Sequence, residues 1–174
     1  MPHTFWFTGL PGAGKTTLAK ALQERMFQQG RMAIRLDGDD LRLGPHKGLG
    51  FSDADRQEHL RRTASLARLL NDQGFHVLVS LISPTEEVRQ LAREIVSAER
   101  YFEIFVKASL EVCIARDPKG LYEKARAGVL QGFTGISASY GEPRLPSLTI
   151  CTENSSIEEC LAPLLGLLDG RETP

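Results

Sequence analysis

Residues 5–16 decide the fold, and they read Phe5-Trp6-Phe7-Thr8-Gly9-Leu10-Pro11-Gly12-Ala13-Gly14-Lys15-Thr16. The part from Gly9 to Thr16 fits the phosphate-binding pattern G-x-x-x-x-G-K-[ST], which requires a strand before it and a helix after it. Both are predicted, because residues 5–8 form a largely apolar run and apolar residues recur at helical spacing over residues 18–26. Glycines let successive backbone amides face a phosphate group, and the positive end of the following helix favours the anion. We therefore predict a phosphate-binding loop, or P-loop, between the first strand and the first helix.

Further strands and helices alternate along the rest of the chain. Strands are predicted at residues 32–36, 75–82, 101–106 and 148–151, and helices at residues 53–71, 86–98, 110–116 and 157–168. Such alternation is typical of α/β proteins in which right-handed crossovers join parallel strands. We expect a doubly wound, mainly parallel five-stranded sheet flanked by helices, which is the P-loop NTPase fold. The length of 174 residues suits a single domain over residues 1–174, with a frayed end at residues 172–174.

The composition excludes several classes of protein. Hydrophobic residues make up 41% of the chain and charged residues 25%, which is typical of globular domains. The formal net charge of −1 predicts no nucleic-acid partner, because such binding needs clustered Lys and Arg. The three cysteines are odd in number and contain no C-x-x-C pair, so neither a disulfide framework nor a zinc site is indicated. Without a signal-peptide pattern or an apolar run of membrane-spanning length, we expect a cytoplasmic protein with no membrane partner.

Residues that follow the predicted strands are candidates for chemistry, because ligands bind beyond the carboxyl ends of strands in such sheets. Lys15 would reach the β- and γ-phosphates of ATP, and the Thr16 hydroxyl would ligate Mg²⁺. Asp37 and Asp39 flank Gly38, which is expected to let the chain turn sharply. One carboxylate can orient Mg²⁺ through water, and the other can accept a hydroxyl proton. A solvated Asp-Gly turn is the alternative, which the position beside the P-loop disfavours.

The class of P-loop protein follows from two further patterns. A GTPase would carry an Asn-Lys-x-Asp tetrad late in the chain, and the sequence has none. A motor or transporter ATPase would usually end an apolar strand in an acidic residue, whereas the predicted strand at residues 75–82 is followed by Ser83 and Pro84. The sequence therefore indicates a kinase that phosphorylates a small molecule.

Several separated motifs resemble the adenylylsulfate kinase family from about residue 5 to about residue 136. They are Gly9 to Thr17, Leu36-Asp-Gly-Asp39, Leu49-Gly-Phe-Ser52, Asp55-Arg56, Arg61-Arg62, Ile82-Ser-Pro84 and Asp117-Pro-Lys-Gly-Leu-Tyr122. The most specific is the run KGLYEKARAGVLQGFTG at residues 119–135, which P-loop kinases in general do not share. The resemblance implies an enzyme that uses ATP to phosphorylate the ribose 3′-hydroxyl of adenosine 5′-phosphosulfate, a reaction of sulfate assimilation.

The resemblance also assigns residues to ATP and to the acceptor. Phe51 and Phe133 would clamp the acceptor adenine by stacking, Arg56 would hold its phosphosulfate, and residues 117–136 would form a mobile lid. Core packing is the alternative for both rings, which their glycine-rich surroundings disfavour. The residues expected at ATP are Gly9, Gly12, Ala13, Gly14, Lys15, Thr16, Thr17 and Arg116, the last packing on the adenine. Those expected at the acceptor are Asp37, Asp39, Arg42, Phe51, Arg56, His59, Ile82, Ser83, Lys119, Gly132 and Phe133.

Ser83 matches a family serine recorded as a phosphoserine intermediate. Because phosphoryl transfer depends on positioning and charge neutralisation, we expect Ser83 to act in catalysis by hydrogen bonding instead. The chain departs from the usual family residues at Asp40, His59 and Thr85-Glu86. The residues leave two alternatives open, namely a related kinase for another nucleotide-like alcohol and a nucleotide-binding module without turnover. Family members are commonly dimers, so the resemblance also implies a homodimer.

Overall fold

Five strands form one sheet in the computed structural model of the protein, which describes residues 1–172. They are β1 (Thr4–Thr8), β2 (Ala33–Asp37), β3 (His76–Ser80), β4 (Tyr101–Lys107) and β5 (Leu148–Cys151). The strand order is β2-β3-β1-β4-β5, and every pairing is parallel. The predicted fold class is confirmed, and each predicted strand is present within a few residues of its expected bounds. Most of the expected frayed end, residues 173 and 174, lies outside the described residues.

Helices connect the strands and cover both faces of the sheet. They are α1 (Lys15–Gln28), α2 (Gly38–Leu43), α3 (Asp53–Asp72), α4 (Glu86–Val96), α5 (Leu110–Arg116), α6 (Leu121–Arg126) and α7 (Ile157–Glu172). The six-residue helices α2 (GDDLRL) and α6 (LYEKAR) were not predicted, because charged residues interrupt their few apolar residues and leave no helical apolar pattern. Local caps explain both: the Asp37 carboxylate accepts from the Asp39 amide, and the Asp117 carboxylate accepts from the amides of Tyr122 and Glu123.

The strands are buried on both faces, and alternate residues of each strand enter different cores. Phe5 and Phe7 of β1 pack on the side of α1 and α7. Trp6 packs on the opposite side, against α3 and α4. Along the described part of the chain, no helix combines the length and apolarity needed to cross a bilayer.

The strand order fixes where a ligand can bind. β1 lies between β3 and β4, so the chain builds one half of the sheet from β2 and β3 and the other half from β4 and β5. Ligands of open α/β sheets bind in the crevice outside the strand ends where the direction of winding changes. The crevice here receives residues 9–14 after β1, Asp37 to Asp39 at the end of β2, and residues 81–85 after β3.

We predict that Leu78→Ala destabilises the fold by about 2–5 kcal/mol, because Leu78 is fully buried between the sheet and α1 and its loss leaves a cavity. The control is Leu69→Ala in α3, where the leucine is 56% exposed and the change should stay within about 0.5 kcal/mol. Urea denaturation measures both free energies of unfolding. Equal losses in the two variants would contradict this description of the core.

Candidate active site

A cleft of about 990 Å³ opens beyond the carboxyl ends of β1, β2 and β3. Residues from both expected halves of the site line it, so the fold brings the two groups together. Those lining residues are Gly12, Gly14, Lys15, Thr16, Thr17, Asp37, Asp39, Arg42, Phe51, Arg56, His59, Ile82, Ser83, Arg116, Lys119 and Phe133. Three other residues expected at the site do not line the cleft themselves: Ala13 and Gly132 are adjacent in the chain to lining residues, and Gly9 lies two positions before the lining residue Pro11.

The loop from Gly9 to Gly14 needs glycine where it passes other backbone. Gly9 has a φ of 149°, and a Cβ there would lie 2.4 Å from the carbonyl oxygen of Val106 in β4. Gly12 has a φ of 78°, and a Cβ there would lie 3.0 Å from the carbonyl oxygen of Cys113. These approaches hold the loop against β4 and α5, at the N-terminus of α1. The loop is thus placed to present amides and the positive end of a 14-residue helix to an anion.

The Lys15 ammonium lies inside the curve of this loop. Its Nζ donates to the carbonyl oxygens of Gly9 and Leu10, each at 2.8 Å. Desolvation by burial lowers the pKa of Lys15 to about 8, and the negative charges of Asp37 and Asp39 offset only part of that effect. The positive charge of Lys15 is therefore only partly compensated within the protein, and a bound phosphate group would compensate the rest.

The two predicted carboxylates lie in different environments. Asp37 is buried, and its Oδ2 accepts from the Thr16 hydroxyl at 2.6 Å while its Oδ1 accepts from the Asp39 amide at 3.0 Å. The Asp39 side chain is 63% exposed and forms an ion pair with Lys119 across the cleft. Asp37 is thus fixed beside the P-loop, whereas Asp39 projects into the space where an acceptor would bind.

Gly38 differs from the sharp turn expected between these carboxylates, because it begins helix α2. The physical reason for glycine here is space. A Cβ at Gly38 would lie 2.4 Å from Cδ2 of Leu81 and 3.4 Å from Nε2 of His59.

Two aromatic rings line the cleft. Phe51 is 68% exposed, and the Arg42 guanidinium lies 4.6 Å from its ring centroid. Arg42 also donates to the carbonyl oxygens of Leu49 and Gly50, so it fixes the loop that carries Phe51. Phe133 is half-buried and meets Tyr122 edge to face, with centroids 5.1 Å apart. The two rings therefore differ in exposure: the Phe51 ring is largely open to solvent, whereas Phe133 packs against Tyr122 and the adjoining core.

Arg56 joins the two segments that carry these rings. Its Nε donates to the carbonyl oxygen of Phe51 and its Nη2 to the carbonyl oxygen of Gly132, both at 2.8 Å. The guanidinium therefore holds the end of the 117–136 segment beside the N-terminus of α3. The role expected for Arg56 toward phosphosulfate would have to coexist with these bonds or replace them.

His59 belongs to a buried histidine pair. Its Nδ1 lies 2.7 Å from Nδ1 of His46, and both side chains are almost fully buried. Its Nε2 is buried and has no hydrogen-bond partner among residues 1–172. Burial and, to a smaller extent, the positive charge of Arg42 together lower the pKa of His59 to about 4. Burial also lowers the pKa of His46. Both imidazoles are therefore neutral at pH 7.

Comparison with known proteins identifies the family. A model of the adenylylsulphate kinase family matches residues 1–151. The chain belongs to this adenylylsulphate kinase family. The adenylyl-sulfate kinase of Oceanobacillus iheyensis is 46% identical over 167 residues, covering 96% of this chain and 84% of the relative. That of Pseudomonas aeruginosa is 48% identical over 151 residues, covering 87% and 77%.

A solved structure of the adenylylsulphate kinase family shares the fold across almost the whole chain. The Mycobacterium tuberculosis APS kinase CysC, in complex with AMPPNP and APS, superposes with a TM-score of 0.92. It is 45% identical, and the match covers 97% of this chain and 98% of that one.

Sequence reasoning missed one residue that organises the nucleotide side of this family member. Thr152 follows β5, and its hydroxyl donates to the carbonyl oxygen of Ala13 at 2.7 Å. Arg116 donates to both the hydroxyl and the carbonyl oxygen of Thr152, at 3.0 and 2.6 Å. Thr152 thus braces the P-loop and orients Arg116. Its position after a strand was the available signal, since the same rule identified Asp37 and Ser83.

We predict that His59 makes the stability depend on pH between pH 7 and pH 5. Because its folded-state pKa of about 4 lies below the ordinary value of 6.5, the unfolded chain binds more protons in this range. The free energy of unfolding should therefore fall on acidification, and by about 1–2 kcal/mol more in wild type than in His59→Asn. Chemical denaturation at pH 7, 6 and 5 measures this difference. Parallel profiles would show that the folded protein protonates His59 as readily as the unfolded chain does.

Proposed function

We propose that this protein transfers the γ-phosphoryl group of ATP to the ribose 3′-hydroxyl of adenosine 5′-phosphosulfate, giving 3′-phosphoadenosine 5′-phosphosulfate. One observation carries the proposal: a single cleft joins a P-loop and two carboxylates to a second half lined by Phe51, Phe133 and Arg56. Family membership and the likeness to an APS kinase bound to AMPPNP and APS support the same reaction. This reaction belongs to sulfate assimilation.

The nucleotide half would hold ATP by backbone and side-chain donors together. The amides of residues 9–14 and the N-terminus of α1 would surround the β- and γ-phosphates, with Thr17 next to them in the first turn. The Lys15 ammonium would exchange the carbonyl oxygens that it now contacts for phosphate oxygens, which compensate its charge more fully. Arg116, held by Thr152, would lie against the ATP adenine.

The residues beside the P-loop suit Mg²⁺. The Thr16 hydroxyl and the Asp37 carboxylate are hard oxygen ligands already 2.6 Å apart. Within residues 1–172 no cluster of three His, Cys, Asp or Glu side chains could hold an ion without help. A single hydroxyl and a single carboxylate are the protein ligands expected for Mg²⁺, which binds one or two protein oxygens together with substrate phosphates. When bound, the ion would neutralise charge that develops on the phosphate oxygens.

Asp39 is the proposed base. The acceptor hydroxyl oxygen forms a bond to the γ-phosphorus while the bond from that phosphorus to the β,γ-bridging oxygen breaks, and the hydroxyl proton passes to the Asp39 carboxylate. Lys119, which pairs with Asp39 here, would then stand next to the transferring group. Its positive charge would shift from the carboxylate toward the phosphoryl oxygens.

The second half of the cleft would bind the acceptor. Phe51 offers a largely exposed ring to an adenine, and Phe133 lines the cleft from the 117–136 segment. Arg42 and Arg56 supply the positive charge that a phosphosulfate requires. His59, Ile82 and Ser83 line the same cleft, and Gly132 contributes the carbonyl oxygen that accepts from Arg56.

We infer that residues 117–136 act as a lid. Tyr122 anchors the segment in the core, and Phe133 packs against the same core. Around the cleft the segment is held by three polar contacts, which are Lys119 to Asp39, Tyr122 to the Pro11 carbonyl oxygen, and Arg56 to the Gly132 carbonyl oxygen. Such contacts can exchange for contacts to substrate, and closure would exclude water from the transferring phosphoryl group. The whole chain, residues 1–174, would then work as one kinase domain.

A cytoplasmic location is proposed on one observation, that Cys113, Cys151 and Cys160 are all free thiols. The homodimer implied by the family resemblance stays a prediction.

The function is tested by coupled ADP release with a panel of acceptors. Adenosine 5′-phosphosulfate should support turnover, whereas adenosine monophosphate and cytidine diphosphate derivatives should not. Lys15→Ala should lower kcat by a factor of about 10² or more, because the phosphates lose their cation. Lys20→Ala, on the exposed side of the same helix, is the matched control and should retain activity. Turnover with another acceptor in preference to adenosine 5′-phosphosulfate would overturn the proposal.

Phe133→Ala is predicted to weaken the acceptor and spare ATP. If the ring stacks on the acceptor base, its loss should weaken acceptor binding by about 1–3 kcal/mol. This would be seen as a higher acceptor KM with an unchanged Kd for ATP. The control is Phe27→Ala, a ring that is 78% exposed on α1. Kinetics and the melting temperature are measured together. A large fall in melting temperature with unaltered acceptor kinetics would make Phe133 a packing residue.

A further inference from the structure

Arg89 in α4 is a buried cation that the proposed reaction does not use. Its side chain is only 1% exposed, although a buried charge is costly unless it is paired and hydrogen-bonded. Its partners therefore indicate what it does. Two acidic side chains compensate its charge: Nη2 donates to Glu86 at 2.8 Å, and Nε lies 3.1 Å from Oε1 of Glu103 in β4.

The remaining nitrogen of Arg89 contacts backbone at the cleft. Its Nη1 donates to the carbonyl oxygen of Ser83 and to that of Gly141, each at 2.9 Å. These residues belong to distant segments, which also bond directly, since the Gly141 amide donates to the Pro84 carbonyl oxygen at 2.8 Å. The guanidinium thus fastens the segment after β3 to the segment that precedes β5.

Ser83 has a backbone conformation that needs such support. Its φ is 47°, in the left-handed region that residues other than glycine rarely adopt. It also precedes Pro84, and the residue before a proline is normally extended. Such conformations persist only where the surroundings impose them, and they occur frequently at functional sites.

Three side chains from the interior of the described structure make polar contacts with Ser83, and they belong to Trp6, Thr8 and Arg89. Nε1 of the buried Trp6 donates to its hydroxyl at 2.9 Å, and the Thr8 hydroxyl lies 3.3 Å from its carbonyl oxygen. Arg89 is the charged donor of this set and makes the shorter bond to the carbonyl. Ser83 and its neighbours Ile82 and Pro84 line the cleft on their other side.

We propose that Arg89 is a positioning residue for the acceptor: it holds Ser83 in the left-handed conformation and so fixes the Ile82–Pro84 wall of the cleft. The inference rests on the proposed function, because it concerns that acceptor. Lysine cannot replace Arg89, since it lacks the planar fork that reaches two carbonyl oxygens and two carboxylates together. Displacing a substrate-positioning wall by a fraction of an ångström affects productive binding of the acceptor far more than binding of ATP.

The first test compares Arg89→Lys with wild type. The acceptor KM should rise about tenfold or more, a loss within the range known for misplaced substrate-positioning groups, while the Kd for ATP stays unchanged. Glu86→Gln is the control, because it removes the negative charge of the exposed partner of the same guanidinium and leaves both carbonyl bonds in place, so the acceptor KM should stay near that of wild type. Should Arg89→Lys fail to fold, Arg89→Gln, which keeps a planar donor without a buried charge, takes its place under the same measurements.

The second test asks whether Arg89 acts through the conformation of Ser83. Glycine adopts a positive φ without cost, so in a Ser83→Gly background the wall needs less support. The rise in acceptor KM caused by Arg89→Lys should then shrink to about twofold or less, although Ser83→Gly has its own effect on the reaction. A purely structural arginine would lower the melting temperature equally in both backgrounds.

Two results would overturn the inference. One is an unchanged acceptor KM in folded Arg89→Lys. The other is that Arg89→Lys raises the acceptor KM by the same factor in the wild-type and in the Ser83→Gly background. Failure of the proposed function is a separate result, because it would be seen as absence of ADP release with adenosine 5′-phosphosulfate in the wild-type protein.

Discussion

The backbone of the P-loop is constrained through its carbonyl oxygens, and the rest of the site depends on this constraint. Lys15 bonds to the carbonyl oxygens of Gly9 and Leu10, Tyr122 to that of Pro11, Arg116 to that of Gly12, and Thr152 to that of Ala13. Donors from α1, α5, α6 and the loop after β5 therefore engage five consecutive carbonyl groups. A loop held in this way keeps its shape before a ligand arrives, which is how pre-organised donors stabilise developing charge.

The same contacts connect the loop to the proposed acceptor half. Tyr122, which bonds to the loop, also packs on Phe133, and Phe133 follows the Gly132 carbonyl that accepts from Arg56. Arg56 in turn bonds to the backbone of Phe51. The two halves of the cleft are thus joined by a continuous path of contacts. A displacement of residues 117–136 would therefore change contacts both at the P-loop and beside Phe51 and Phe133.

Most of the fold was predictable from the sequence, because short apolar runs mark the strands and apolar residues at helical spacing mark the longer helices. The five strands and the helices α1, α3, α4, α5 and α7 were all predicted in this way. The site was predictable as far as local motifs reach, and the cleft does collect Lys15, Asp37 and Arg56. Their partners were not predictable, since they depend on long-range packing: Thr152 bonds to a residue 139 positions away, and Arg56 to one 76 positions away. The left-handed conformation of Ser83 was not predictable either, because a serine before a proline is expected to be extended. The contacts that impose the left-handed conformation come from distant parts of the chain.

The position of the new phosphate on the product shows which hydroxyl Asp39 serves. The product formed from ATP and adenosine 5′-phosphosulfate can be purified and examined by ¹H–³¹P correlation NMR. We expect one new phosphorus signal that correlates with the ribose H3′ proton, with the 5′-phosphosulfate intact. A correlation with H2′, or a product phosphorylated elsewhere, would contradict the arrangement in which the ribose 3′-hydroxyl lies between Asp39 and the γ-phosphate.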